Sequence, residues 1–325
     1  MHKRFDLLRA LIYLLVAALC LIMLYGGLKI WESYRNAQGT DTPTASKTIV
    51  RDGVEYFPRQ DITVFLVLGI DEFGPAQESQ GHQNPGAADM VSLVVIDETA
   101  KKINLLSLNR DTMLQMPVLG IGGKPAGTYY GQLALAHTFG TGLEDSCENT
   151  KKAVSDFLYG LRIDYYVSMK MDAVQILNDA VGGVQVHVTD DFSKIDASIP
   201  MGDVLLQGRQ ALTFIRGRKD LGDQLNVSRI QRQNHYIERF AESLQNKVEQ
   251  SDSFVLDTYG KVEDYLVTDC SATALNAMLR RYSDYTLEKA IMLEGENRVG
   301  EQYMEFYVDE QKLDDTILSL FYAPK

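Results

Sequence analysis

The sequence carries none of the short signatures that announce a familiar catalytic apparatus. Glycines cluster at Gly120, Gly122, Gly123 and Gly127. Yet Gly123-Lys124-Pro125 is not a P-loop ending, and no strand-turn-helix context suits a dinucleotide-binding turn. The five His show no zinc spacing, and there is no Gly-x-Ser-x-Gly elbow. No internal repeat and no low-complexity block is found. Positive charge is in deficit: 32 Lys and Arg stand against 44 Asp and Glu, a formal net of −12. That excludes a general nucleic-acid binder, and it means that a site for an anionic substrate needs a local basic cluster. Cysteine is scarce, with three residues. Cys20 lies in an apolar run. Cys147 and Cys270 lie in the body and are expected to pair as a disulfide in an oxidising compartment. Two separate buried thiols are the alternative, because spacing alone does not show proximity.

What is present begins with that apolar run. The composition, 45% hydrophobic and 23% charged, is too polar for a multi-span membrane protein and too apolar for a disordered chain. Residues 10–28 depart from it: they hold no charge and reach roughly 28 Å as a helix, close to a bilayer's hydrocarbon thickness. Lys3, Arg4 and Arg9 precede the run against Asp6, while Lys29 and Arg35 follow it, offset by Glu32. The basic excess favours residues 1–9 inside and the body outside, at the cell membrane. Tyr25 and Trp31 suit the outer interface. A cleaved signal peptide is the rival, but the run is long for one and no Ala-x-Ala site follows.

Residues 29–59 read as a spacer and a short hairpin around Asp52-Gly53. Residues 60–325 read as one extracytoplasmic domain. Its segments 62–68, 90–96 and 103–108 are apolar runs that suit strands buried on both faces. Helices are expected over 148–159, 171–181, 228–248, 272–282 and 313–321, with Ser228 as an N-cap. Short strands are expected over 165–168, 184–188 and 304–308. Strands and helices interleave, so the fold class is α/β with a central mixed sheet flanked by helices.

Three carboxylates fall at strand ends: Asp71, Asp89 and Asp111. Ligands of open α/β sheets gather there, and two carboxylates brought together suit a hard cation such as Mg²⁺. Each alone is more often a turn or cap. The basic cluster says more. From Arg209 to Arg239 there are seven Arg or Lys and three Asp or Glu, a local net of +4. With residues 212–218 extended, Arg216 and Arg218 point to one side. On the helix that follows, Arg229, Arg232, Gln233 and Tyr236 fall within an arc of roughly 100° at about 100° per residue. Guanidinium groups converging at a helix N-terminus are the chemistry of phosphate binding. A solvated basic helix face is the plainer reading.

With these residues assembled, the chain resembles the LytR-CpsA-Psr family of bacterial cell-envelope phosphotransferases. The matching segments are Phe65-Leu-Val-Leu-Gly-Ile-Asp71, Ala88-Asp89-Met-Val-Ser-Leu-Val-Val-Ile-Asp97 and Leu106-Ser-Leu-Asn-Arg-Asp111. Asp179-Ala-Val-Gly-Gly-Val184, Gly208-Arg-Gln-Ala-Leu-Thr-Phe-Ile-Arg-Gly-Arg218 and Gly222-Asp-Gln-Leu-Asn-Val-Ser-Arg-Ile-Gln-Arg-Gln233 follow in order. The resemblance implies transfer of a phosphorylated glycopolymer from a polyprenyl-pyrophosphate carrier to peptidoglycan, with polyprenyl phosphate leaving. Carried onto this sequence, it implies Mg²⁺ (or Mn²⁺) on Asp71 and Asp89. It implies pyrophosphate held by Arg110, Arg216, Arg218, Arg229 and Gln233, with Arg232 on the same helix face. Asp111 and Asp223 would orient Arg groups or take part in proton transfer. The chain departs from the family pattern at Asn109, where Pro is frequent before Arg-Asp, and at Ala87-Ala88, where Arg-Ser is frequent. The same residues would serve a pyrophosphatase. A non-catalytic envelope binding or regulatory protein is the reading from another class.

Overall fold

A computed structural model describes residues 48–80, 83–120, 123–217, 221 and 226–325. The apolar run 10–28, Arg218 and Asp223 lie outside the described residues. Among the described residues no helix is long and apolar enough to cross a membrane. The domain, Ser46–Lys325, is compact as one unit.

Strands β1 (Ile49–Arg51) and β2 (Val54–Pro58) form the expected hairpin. Asp52 and Gly53 both take positive φ, 52° and 80°, as a two-residue primed turn requires. β3 (Ile62–Ile70), β4 (Ala88–Asp97) and β5 (Lys102–Leu108) follow as an antiparallel meander. β6 (Met113–Leu119) and β7 (Pro125–Gln132) make a second hairpin. A 3₁₀ segment, Leu133–Thr138, leads into helix α1 (Glu144–Phe157). Then come β8 (Tyr165–Lys170), α2 (Met171–Ala180), β9 (Val184–Val188), β10 (Gly202–Leu206), α3 (Arg209–Arg216) and α4 (Asn226–Gln250). The chain continues through α5 (Phe254–Val262), β11 (Leu266–Thr268), α6 (Ala272–Arg281), β12 (Thr286–Leu287) and β13 (Ile291–Met292). It ends with β14 (Gly295–Val299), β15 (Met304–Val308), α7 (Glu310–Phe321) and β16 (Tyr322–Pro324).

The central sheet runs β11-β8-β3-β4-β5-β12, with β13 also on β5. It is mixed: β3 pairs β8 in parallel and β4 antiparallel. Its central strands are apolar on both faces because both faces are covered. Val64, Leu66, Leu68, Leu93 and Leu106 enter the main core with Val154 of α1 and Ile317 of α7. Phe65 and Ile96 turn to the other face, against Cys270 and Tyr282. Each such large side chain contributes about 1.5–3 kcal/mol when fully buried. A third cluster joins β9, α3 and α4 through Val184, Val186, Phe214 and Tyr236.

Several expectations are corrected. Within the segment expected to be extended, residues 212–216 are helical: 209–216 is helix α3, which buries Ala211, Leu212 and Phe214 on one side. Short apolar runs fit both periods, and Gly208 and Gly217 are its two caps. Ser228 is not an N-cap, since α4 already begins at Asn226. The expected hairpin of residues 49–58 is fastened to the domain, since β16 pairs β2. Cys147 and Cys270 are free and buried, with no disulfide between them. Cys147 sits in the main core and Cys270 in the cluster on the opposite face, so the sheet stands between them. Burial pushes the Cys147 thiol up to about 12. Neither body cysteine of the folded protein is therefore expected to take up iodoacetamide at pH 8. Both are expected to label once it is unfolded, as read by peptide mass spectrometry without reductant.

Candidate active site

The site is set by one extra residue. Along β3 and β4, Gly69 opposes Met90 and Ile70 opposes Ala88, which leaves Asp89 without an opposite number. This β-bulge turns the side chain out of the ladder at the strand's end. Next to the bulge Gly69 leaves space for Met90: a Cβ there would stand 3.1 Å from the Cβ of Met90.

Two guanidinium groups meet on Asp89. Arg110 Nη1, from the loop after β5, donates to Oδ1. Arg229 Nη1, from the first turn of α4, donates to Oδ2 at 2.9 Å, and its Nη2 to the Asp89 carbonyl at 3.1 Å. Arg229 is 2% exposed. A buried guanidinium depends on its carboxylate and on filled hydrogen bonds. Asp111, 4% exposed, stands beside Arg110, 3.4 Å from its Nε. Asp111 also accepts from Gln132 Nε2 at 3.0 Å. At the neighbouring strand end, Arg216 Nη2 donates to Asp71 Oδ1 at 2.6 Å, and the Arg216 guanidinium lies over the Phe73 ring at 5.4 Å.

Not every expected residue joins this group. Arg232 is turned to α3: Nε donates to the Phe214 carbonyl at 3.0 Å, Nη2 to the Gly217 carbonyl, and Nη1 to Asp190 at 2.6 Å. It ties down the end of α3 and takes Asp190, not Asp89, as its carboxylate partner. Gln233 donates to the Ile215 carbonyl at 3.2 Å, which braces the same helix end, and also borders the closed seam between α4 and β4 beside Asp89. Arg218 and Asp223 lie outside the described residues.

Other residues escaped the sequence reading. Asn109 Oδ1 accepts from the Asp111 N–H at 3.0 Å and from Asn226 Nδ2 at 2.5 Å. The residue found where the family often has Pro thus clasps the Arg110 loop to the first residue of α4. The Leu133–Thr138 segment braces the site from behind. Ala134 N–H donates to the Arg110 carbonyl at 3.0 Å, and His137 Nδ1 to the Gly86 carbonyl at 2.7 Å. Burial lowers the pKa of His137.

Asp71, just past the end of β3, and Asp89, in the neighbouring β4, are joined through the backbone where Asp71 N–H donates to the Ala87 carbonyl at 3.1 Å. Their carboxylates are hard oxygen donors. Among the described residues no group of three or more His, Cys, Asp or Glu is placed to hold a metal. Two carboxylates fit the ligand set of Mg²⁺, which commonly takes its remaining ligands from water and substrate phosphate.

Fold and site together define an α/β domain that gathers guanidinium groups and carboxylates at one end of a mixed sheet. The chain belongs to the LytR_cpsA_psr family, whose model matches residues 29–320. It is 28% identical over 167 residues to the polyisoprenyl-teichoic acid–peptidoglycan teichoic acid transferase TagU of Oceanobacillus iheyensis, across 51% of this chain and 46% of that one. The match thus spans less than half of that relative. The identically named TagU of Enterococcus faecalis is 26% identical over 307 residues, 94% of this chain and 93% of that one. Among solved structures, Bacillus subtilis TagV shares the fold, with a TM-score of 0.62 at 22% identity over 81% of this chain and 96% of that one.

Removing Asp89 leaves two guanidinium groups without their shared counter-charge. Asp89→Ala is expected to lower the free energy of unfolding by about 3 kcal/mol in urea titrations. Asn109→Ala breaks the clasp to α4 and is expected to cost about 1–2 kcal/mol in the same experiment.

Proposed function

We propose that the protein transfers a phosphorylated glycopolymer, a teichoic acid or a capsular or other wall polysaccharide, from a polyprenyl-pyrophosphate carrier to peptidoglycan. Polyprenyl phosphate is released. The observation that carries this reading is the meeting of Arg110 and Arg229 on the single carboxylate of Asp89. The names of the TagU relatives support the substrate class.

Two guanidinium groups share the Asp89 carboxylate, and Asp111 stands beside Arg110 as a second counter-charge. Their forked donors match phosphate oxygens, and because they are already ordered, little reorganisation is needed at the moment of reaction. Arg216 and Arg218 extend the grip. The acceptor hydroxyl oxygen forms a bond to the sugar-bearing phosphorus, and the P–O bond to polyprenyl phosphate breaks. The charge on the departing phosphate is neutralised by the arginines, so alignment and electrostatics do most of the catalysis. Asp111, held by Gln132, keeps Arg110 in place. A carboxylate, Asp111 or Asp223, takes the hydroxyl proton. With phosphate oxygens as the partners of Arg110 and Arg229, Asp71 and Asp89 would be the carboxylates that hold a divalent cation. Mg²⁺ or Mn²⁺ bound there would supply further neutralisation of the phosphate charge. Residues 10–28 are assigned as a single-pass anchor in the cell membrane, with the domain outside.

Arg110→Ala is expected to abolish transfer of polymer to peptidoglycan with an unchanged circular dichroism spectrum; normal transfer would refute the reading. Phosphate release in the absence of any polymer–peptidoglycan product would instead identify a pyrophosphatase. Replacing residues 10–28 by a cleavable signal is expected to lower function in cells more than turnover on detergent-solubilised substrate, and equal losses would count against the anchor.

A further inference from the structure

Beside the arginines opens a second compartment of different chemistry. It is a cavity of about 720 Å³ between residues 83–87, the β6–β7 hairpin and the 3₁₀ segment. That volume lies within the range of small-molecule sites. It touches the backbone of the charged centre at two points. Ala87, whose carbonyl accepts from Asp71 N–H, belongs to its wall, and Leu135, next to the residue bonded to the Arg110 carbonyl, lines it as well.

Among the described residues no lining side chain is charged. Gln83 and Thr128 offer amide and hydroxyl groups, while Pro85 and Leu135 are apolar. Tyr129 and Phe139 meet edge to face there, with ring centroids 5.8 Å apart. Tyr129 is 39% exposed, so part of its ring is open to a ligand. Tyr303 stands near its hydroxyl and extends the aromatic edge. Asn84 is not available to a ligand, because its amide nitrogen serves the His137 and Gly140 carbonyls and Ser146 Oγ.

We propose that this cavity is a saccharide subsite, holding one pyranose ring of the reaction against Tyr129. The inference rests on the transfer reading above. In that reaction the arginines take the pyrophosphate, and the groups on either side of the reacting phosphorus are sugars: the first sugar of the donor and the sugar bearing the acceptor hydroxyl. A neutral lining of hydroxyl and amide groups satisfies sugar hydroxyls. An aromatic face receives the apolar C–H face of the ring, and Tyr joins that apolar body to a polar end. Among the described lining residues a phosphate finds no counter-charge.

The test is steady-state transfer by wild type, Tyr129→Ala and Tyr129→Phe, varying soluble glycan strands and the lipid-linked donor in turn. Loss of the aromatic face is expected to raise one KM about tenfold in Tyr129→Ala, corresponding to about 1.4 kcal/mol. Tyr129→Phe, which keeps the ring, is expected to stay within about threefold, roughly the value of one modest hydrogen bond. A rise confined to the glycan strands assigns the subsite to the acceptor, and one confined to the donor assigns it to the donor's sugar. Both KM values unchanged in Tyr129→Ala overturn the subsite while leaving the transferase standing. If wild type transfers nothing, the transfer reading fails. Titration with N-acetylglucosamine oligosaccharides, followed at the Gly127 and Thr128 amide resonances, then decides the subsite alone: shifts in wild type that vanish in Tyr129→Ala support it, and their absence from wild type overturns it.

Discussion

Asp89 stands between two guanidinium groups because β4 carries one residue more than β3 at that point. The bulge throws the carboxylate clear of the sheet, where Arg110 reaches it from the loop after β5 and Arg229 from the first turn of α4. Three elements distant in sequence are thereby fixed to one side chain. Arg229 is too deeply buried to stand without a counter-charge, so the helix and the strand end hold each other in register. Asn109 clasps the same loop to the same helix turn, and the 3₁₀ segment supports it from behind. The charged centre is thus assembled before any substrate arrives, as electrostatic preorganisation requires.

The arginines of the basic cluster divide their labour. Arg229 and Arg232 are three residues apart on α4, close enough to share a face, yet they serve different neighbours. Arg229 turns to the sheet and its carboxylate. Arg232 turns to the carbonyls at the end of α3 and to Asp190, and so positions the helix whose last residue is Arg216. One arginine is part of the charged centre, and the other builds the support for a third. Local positive charge in an acidic chain marks the region but does not tell these roles apart.

The central sheet was legible in the sequence because burial on both faces writes an unbroken apolar run, as in residues 62–68. The carboxylates at strand ends followed from that. The bulge was not legible, since an offset in pairing exists only between two strands and leaves no mark in either alone. Residues 212–216 were misread because a short mixture of apolar and basic residues fits a strand and a helix equally well. Strands β6 and β7 escaped because β7 is largely exposed and rich in glycine, so it shows no alternation. The proposed disulfide failed for a related reason: spacing along the chain does not reveal which face of a sheet a residue will occupy. Ser228 was a sound capping residue placed two positions inside its helix.

The separation of Cys147 and Cys270 by the sheet carries a consequence for how this domain can be made. Among the described residues no covalent cross-link holds the fold, and its cohesion comes from apolar burial and filled hydrogen bonds. Folding of these residues therefore asks nothing of an oxidase or an isomerase, and it is indifferent to the redox poise of the compartment where it occurs. The same native domain is accessible in a reducing or an oxidising medium.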